Sequence, residues 1–325
     1  MMNIGKLLAA GAGLALAGCA CCKPEADPVI GNWSADLPYD SMKAGSFIFS
    51  RDAEGKAKAV VLWRWGSPEE VKDLKVCGNR FSFSHPYGQR FEGQVLGDRM
   101  IARLAPYDQK TGAVTGAWLP FYGWRNPEIC DRVKTEDAKL GEPIDLLKDG
   151  LAGWETMDPK AKFGWKFKDG VLSNQLGLRP DGRWAGGGAN LCTKRADFFD
   201  FNLEYDVRVP KASNSGVYLR GRFECQVVDS YGKETDRHNM AAYYGRVTPS
   251  VSAEKKPGEW QHVSVTVYKG HISVTLNGVK IIDNAKLVGV TGGAIDADLN
   301  KAGPIYLQGD HSDADFRNMI LRPAL

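Results

Sequence analysis

The sequence predicts an all-β protein built in two parts, and three observations predict it. Short runs of alternating apolar and polar residues recur along the chain, each closed by Gly, Pro, Asp or Asn, which is the pattern of strands joined by tight turns. In the second half no ten-residue window shows helical periodicity. The length, 325 residues, suits about two domains at roughly 150 residues each, and the charged, apolar-poor stretch "RVKTEDAKLGEP" (132–143) separates two such units.

Composition narrows the function classes. Apolar content of 43% and charged content of 25% are those of a folded soluble protein. The net charge is +3 with no block of Lys and Arg, so nothing supports a nucleic-acid partner, which calls for a concentrated basic footprint. Beyond the N-terminus no apolar run reaches the roughly 18 residues that suggest a membrane span.

The N-terminus reads as a targeting segment rather than as part of the fold. "MMNIGK" is a short positive region and "LLAAGAGLALA" an apolar stretch too short to cross a bilayer. Leu16-Ala17-Gly18-Cys19 then resembles a bacterial lipobox, with an ordinary cleaved signal peptide as the alternative. The expectation is a signal peptide over 1–18, lipidation of Cys19, and a tether over 19–28. Membrane contact would be through the lipid anchor only, in the cell envelope; Ala20 after the Cys points toward the outer membrane. An oxidising compartment permits disulfides 77–130 and 192–225, but Cys225 alternates with core residues and reads as a buried thiol, so neither bridge is expected. No Cys/His spacing suits zinc.

Residues 29–132 carry the strand candidates "IGNWSADL", "SFIFSRD", "KAVVLWRW", "RFSFSHP", "RFEGQVLGDRMIARL" and "VTGAWLPFYGW", at the spacing of a small β-barrel or sandwich of unknown role. Gly31-Asn32-Trp33 resembles the opening strand of lipocalin-like barrels, whose Trp plugs the barrel bottom. Trp63, Trp65, Trp118 and Trp124 could form a sugar-stacking platform, but aromatic residues in a small β-domain are more often core, and core is the expectation. Residues 144–325 continue with "DFNLEYDVRVP", "GVYLRGRFECQVVD" and "WQHVSVTVYKGHISVTLNGVKIID". Turns at Lys269-Gly270 and Asn277-Gly278 mark hairpins, and a two-sheet jelly roll is the simplest solution.

"NSGVYLRGRFECQVVDSYG" (214–232) carries the first candidate site. Taken as strand, Val217, Leu219, Phe223, Cys225 and Val227 face a core, while Tyr218, Arg220, Arg222, Glu224 and Gln226 face the other way; Arg220-Gly221-Arg222 reads as a turn or bulge that would set Tyr218 and Arg220 across from Glu224 and Gln226 on neighbouring strands. Stacking rings, donor forks, a carboxylate and an amide suit a hydroxyl-rich ligand; an exposed Arg–Glu pair of little consequence is the bland alternative. The spacing Glu224-x-Gln226-x-x-Asp229 is similar to the E-x-D-x-x-E strand of jelly-roll retaining glucanases, with Gln in place of the middle acid; Asp229 would join the face only through a bulge. A second cluster, "GPIYLQGDHSDADFRN" (303–318), is expected to bring together Gln308, Asp310, His311 and Arg317. There His311 could act as a general base or be a surface His in a polar turn. His238 is the other His in a loop beside polar candidates.

Residues 145–325 resemble the 3-keto-disaccharide hydrolase family, a former domain of unknown function with a concanavalin-like jelly roll. The matching pieces are "DLLKDGLAGWE", "WKFKDGVL", "LCTKRADFFDFNLEYDVRV", "NSGVYLRGRFECQVVDS", "KPGEWQHVSVTVYKGHISVTLNGV" and "GPIYLQGDHSDADFRNMILRP", with Ser312 and Cys225 as small departures. The resemblance implies cleavage of a sugar already oxidised at C3: a base removes the acidified C2 proton, the C1 substituent leaves, and water adds back. It implies His311 as base, Arg220 or a divalent metal ion at the ketone, Glu224 as acid or orienting carboxylate, and Tyr218, Gln226, Asp229 and Gln308 as substrate contacts. The substrate would be an oligosaccharide or glycoside. An ordinary glycosidase and a non-catalytic carbohydrate-binding lipoprotein are the alternatives.

Overall fold

The alternation in the sequence becomes strands throughout the computed structural model, which describes residues 27–325. The signal-peptide segment, the lipobox and Cys19 lie outside the described residues. Among the described residues no helix is long and apolar enough to cross a membrane.

The first nine strands form one sheet: β1 (Gly31–Asp36), β2 (Ala44–Arg51), β3 (Ala57–Trp63), β4 (Glu69–Glu70), β5 (Lys72–Cys77), β6 (Arg80–His85), β7 (Gln89–Leu96), β8 (Arg99–Pro106) and β9 (Leu119–Arg125). Its order is β4-β3-β2-β1-β9-β8-β7-β6-β5, and it curls until β3 approaches β5 as a barrel. Inward positions are aromatic: Phe47 stacks on Phe121 at 5.8 Å and Phe83 on Phe91 at 4.9 Å. Trp33 is fully buried, donates to Val29 O at 2.9 Å, and lies under the Arg125 guanidinium at 4.2 Å.

The expectation that all four later tryptophans are core needs correction. Trp63 ends β3 facing inward and is core, but Trp65 lies past the strand end and is exposed. Trp118 and Trp124 are half-buried; Trp118 precedes β9, and Trp124 faces outward on it.

The second unit is a jelly roll. Its large sheet runs β12 (Trp165–Lys168), β13 (Val171–Asn174), β22 (Ala314–Pro323), β15 (Phe201–Arg208), β18 (Gln261–Tyr268), β19 (His271–Leu276), β20 (Val279–Lys286), with β10 (Ile144–Asp145) added on β22. The small sheet runs β11 (Trp154–Thr156), β14 (Leu191–Thr193), β21 (Tyr306–Leu307), β16 (Asn214–Leu219), β17 (Phe223–Val228). Between the sheets lie Phe201, Leu203, Tyr205 and Val207 of β15 against Val217, Leu219, Phe223 and Val227. Lys269-Gly270 and Asn277-Gly278 adopt positive φ at all four residues and turn the β18–β19 and β19–β20 hairpins, as two-residue turns of that type require. Cys77, Cys130, Cys192 and Cys225 are all free thiols.

The barrel packs on the jelly roll through Ala44 and Leu62 against Val290, Ala294 and Ala297, and Gly293 N donates to Arg64 O at 3.1 Å. Linker residues run along β19 and β20, where Thr135 Oγ1 meets Ser273 Oγ at 2.6 Å.

Candidate active site on the small sheet

Strand register places five polar side chains in one row across the outward face of the small sheet. Glu155 lies opposite Cys192, Cys192 opposite Tyr306, Tyr306 opposite Tyr218, and Tyr218 opposite Glu224. The bridge between Cys225 and Tyr243 puts Tyr244 next in the row, its N–H donating to Glu224 O at 3.0 Å. Val217, Leu219, Phe223, Cys225 and Val227 point into the sandwich, so parity alone sends Tyr218, Glu224 and Gln226 to the site face.

Glu224 is the electrostatic centre of this face. Its side chain lies over Gly216, where no Cβ intervenes, and is almost fully buried. Burial pushes its carboxyl up to about 8, and the Asp310 charge adds to the shift. A carboxyl in that state is protonated at neutral pH and can donate. Tyr218 stacks on Tyr306 at 4.2 Å and donates to Gly292 O at 2.8 Å, so its ring is clamped. Burial raises both phenols. The Cys192 thiol is pushed to about 11 by burial and by Glu155, which leaves it a poor nucleophile.

The second cluster reaches the same face. Gln308, next after β21, donates its N–H to Gly216 O at 2.9 Å, which puts it beside β16. The following loop is fastened on both sides: Asn174 Nδ2 donates to Gly309 O and Ser312 O at 2.9 Å, and Ser312 Oγ bonds both the N–H and the C=O of Asn214 at 2.7 Å. On this fixed loop His311 Nδ1 meets Asp310 Oδ1 at 2.5 Å, and that bond raises the imidazole pKa. Asp310 thereby fixes the proton on Nδ1 and leaves Nε2 as the basic nitrogen. Gln308 Oε1 and Asn214 Oδ1 are buried without a protein partner, two acceptors that a ligand's hydroxyls could satisfy.

Four expected members do not join. Arg220 and Arg222 fall in the three-residue turn between β16 and β17, which takes both out of the strand alternation. The Arg220 guanidinium lies 4.6 Å from the Phe199 ring and 4.8 Å from the Phe223 ring, nearest in charge to Asp200, and burial lowers its pKa to about 10. It does not reach Glu224 and cannot polarise a group bound there. Arg222 makes a fork with both Asp296 oxygens at 2.7 and 2.6 Å and donates to three carbonyls. Arg317 bonds Asp206 at 3.1 Å and covers Trp260 at 4.0 Å, on the large sheet. Asp229 follows the end of β17 with no bulge in the β16–β17 register to return it to the face; its Oδ2 accepts from Ala212 N at 2.8 Å.

Tyr306, Tyr244 and the barrel's contribution carry no signal in the sequence pattern. Ser67, on the barrel, meets His238 Nε2 at 2.6 Å, and Tyr244 packs against the His238 ring at 5.3 Å. Arg237 reaches Pro68 O and Glu69 beside them. Among the described residues no group of three or more His, Cys, Asp and Glu side chains is placed to hold a metal ion. The donors at the site therefore do not fit a metal centre, and no step is assigned to one.

The 3-keto-alpha-glucoside-1,2-lyase-like domain matches residues 143–322, more than half of the chain, and the chain belongs to that family. Its function is accordingly one exerted on carbohydrates. No curated protein matches the chain. Among solved structures, a provisionally named glycosyl hydrolase of Parabacteroides distasonis is 24% identical over 56% of this chain and 100% of its own, with a TM-score of 0.43. A second from the same organism is 22% identical over 67% of this chain and 98% of its own, also at 0.43. The carbohydrate-binding module CBM66 of Bacillus subtilis is 14% identical over 51% of this chain and 93% of its own, at 0.33.

Proposed function

We propose that the protein cleaves 3-keto-glycosides by removing the C2 proton and expelling the C1 substituent. What supports this reading is a buried carboxyl at Glu224, pushed up to about 8 and close enough to Asp310 to feel its charge, where Asp310 also bonds the His311 imidazole. His311 Nε2 takes the C2 proton, and the electron pair moves into the C2–C3 bond as an enolate. The pair then forms the C1–C2 double bond as the C1–O bond breaks, and Glu224 gives its proton to the departing oxygen. Addition of water at C1 would follow. Tyr218 and Tyr306 are almost fully buried and stack on each other, so they form a rigid wall of the site, and Gln308 accepts from the sugar's hydroxyls. Gln226 accepts the Val227 N–H at 2.9 Å through its side-chain oxygen, so its amide N–H remains to polarise the C3 ketone.

An ordinary retaining glycosidase needs a second carboxylate as nucleophile. Gln226 replaces it on the strand, Asp229 is held by Ala212 N, and Asp310 is engaged by His311. The test is turnover of a 3-keto-glucoside beside its unoxidised parent. Cleavage of the keto sugar alone is expected; cleavage of the parent, or of neither, would remove this reading. The same proposal places the enzyme in the cell envelope, anchored by lipid on Cys19, on the strength of Leu16-Ala17-Gly18-Cys19. Cys19→Ser should abolish incorporation of radiolabelled palmitate, and a wild-type protein that incorporates none has no such anchor.

A further inference from the structure

The outer face of β5–β9 on the barrel carries a groove of about 540 Å³ that shares no residue with the jelly-roll cluster. Strand register builds it from two rows. Ser82, Glu92, Arg103 and Pro120 lie opposite one another in sequence across β6 to β9, and Arg80, Gln94, Ile101 and Tyr122 form the parallel row. Trp118, just before β9, closes one side.

Three observations distinguish this groove from a solvated sheet face. Tyr122, on the β9 side of the groove, is 53% exposed and leaves its ring open to the concave surface. Arg103 stacks on Trp118 at 4.4 Å and places Nε and Nη2 on one oxygen of Glu92, at 3.2 and 2.7 Å, so the other carboxylate oxygen stays available. Ser82 is nearly fully buried, yet its Oγ has no hydrogen-bond partner, which costs free energy unless something bound there satisfies it.

We propose that this groove is a second carbohydrate-binding site, which holds a neutral glycan chain while the jelly roll performs its chemistry. A sugar ring presents an apolar face to an aromatic ring and hydroxyls at its rim that both donate and accept. The groove matches both demands: Tyr122 and Trp118 for the ring, Glu92 and Gln94 as acceptors, Arg80 and Arg103 as donors, and Ser82 as either. A purely apolar ligand would instead leave Ser82 and Gln94 buried without partners. The volume lies within the range of small-ligand sites, with room for a short run of sugar rings.

The test is calorimetric titration of the full chain with cellohexaose, maltohexaose and laminarihexaose. At least one should bind. Tyr122→Ala should weaken it tenfold or more, and Trp118→Ala should do likewise. The Tyr122 ring is exposed, so Tyr122→Ala should melt near the wild-type temperature, which keeps the result independent of folding. Glu224→Gln should leave this binding unchanged, which separates the groove from the jelly-roll site whether or not the keto-glycoside reading holds. The proposal fails if none of the three hexasaccharides binds. It also fails if Tyr122→Ala binds as the wild type does, or if a fluorescent fatty acid occupies the groove and the hexasaccharides do not displace it.

Discussion

Glu224 and Tyr218 face each other across the β16–β17 pair, one a buried carboxyl and the other a phenol whose hydroxyl is tied to Gly292. The carboxyl is held protonated at neutral pH because the sheet face has been dried around it. Catalysis and pH dependence follow from that pairing.

The rate should describe a bell in pH. His311 must be neutral to accept a proton, and its pKa is raised by Asp310, so activity should climb through a pH above the ordinary histidine value. Glu224 must be protonated to donate, so activity should decline above about pH 8. Glu224→Gln should remove the alkaline limb for a 3-keto-glycoside with an activated aryl leaving group. Persistence of that limb would assign it elsewhere.

Stability carries the same signature with a definite sign. The folded carboxyl of Glu224 binds its proton more tightly than the unfolded one, so its contribution is fully present below about pH 4.5. It is lost as pH rises toward about 8. Urea unfolding of the wild type should therefore weaken across that window by on the order of a few kcal/mol, a slope that Glu224→Gln should flatten. His85, buried in the barrel and lowered to about 4, works in the opposite direction between about 6.5 and 4, so both groups should be tested in one series.

The two arginines of the β16–β17 turn should separate structure from chemistry. Arg222→Met removes a buried fork and leaves Asp296 and three carbonyls without their donor, at a cost of about 3 kcal/mol in urea unfolding. Arg220→Ala should leave kcat/KM within a few-fold of wild type. A loss of about 100-fold, the worth of a group that stabilises the enolate oxygen, would return Arg220 to the reaction.

The barrel should matter to the site through Gly292. A Cβ there would come within 2.6 Å of Gly66 N, a backbone atom that cannot swing aside, while Gly292 O holds the Tyr218 hydroxyl. Gly292→Ala should therefore cost roughly 1–3 kcal/mol and lower kcat/KM as well. Full activity in a stably folded Gly292→Ala protein would show that the barrel contact does not reach Tyr218.

Much of this was legible where one residue decides the local geometry. Asn277-Gly278 announces a hairpin because few other pairs accept positive φ at both positions. Val217, Leu219, Phe223, Cys225 and Val227 announce a core face by parity, and that parity correctly sent Tyr218, Glu224 and Gln226 outward. The reversal at Arg220-Gly221-Arg222 was legible as well, but a three-residue turn cancels alternation, so parity could not say which way the two guanidiniums leave. Tyr306 and Tyr244 were invisible for another reason. Each enters the row through pairing with a strand distant in sequence, and single-sequence periodicity does not report partners. The Trp118 groove is of that kind too, assembled from five strands, each of which looks like an ordinary barrel strand.

The decisive prediction concerns the proton on C2. If His311 removes it in the slow step, a 3-keto-glucoside deuterated at C2 should turn over more slowly than the protiated sugar. His311→Ala should lower kcat by roughly 100- to 10,000-fold, the usual worth of a positioned base. Asp310→Asn should act through His311: it withdraws the carboxylate that raises the imidazole pKa, so the acid limb should move to lower pH along with a smaller loss of rate. A merely structural role for Asp310 would lower rate or stability without moving that limb. Near wild-type turnover by His311→Ala, with the isotope effect intact, would transfer the base to another group on the same face. Retention of deuterium at C2 in the product would exclude elimination altogether.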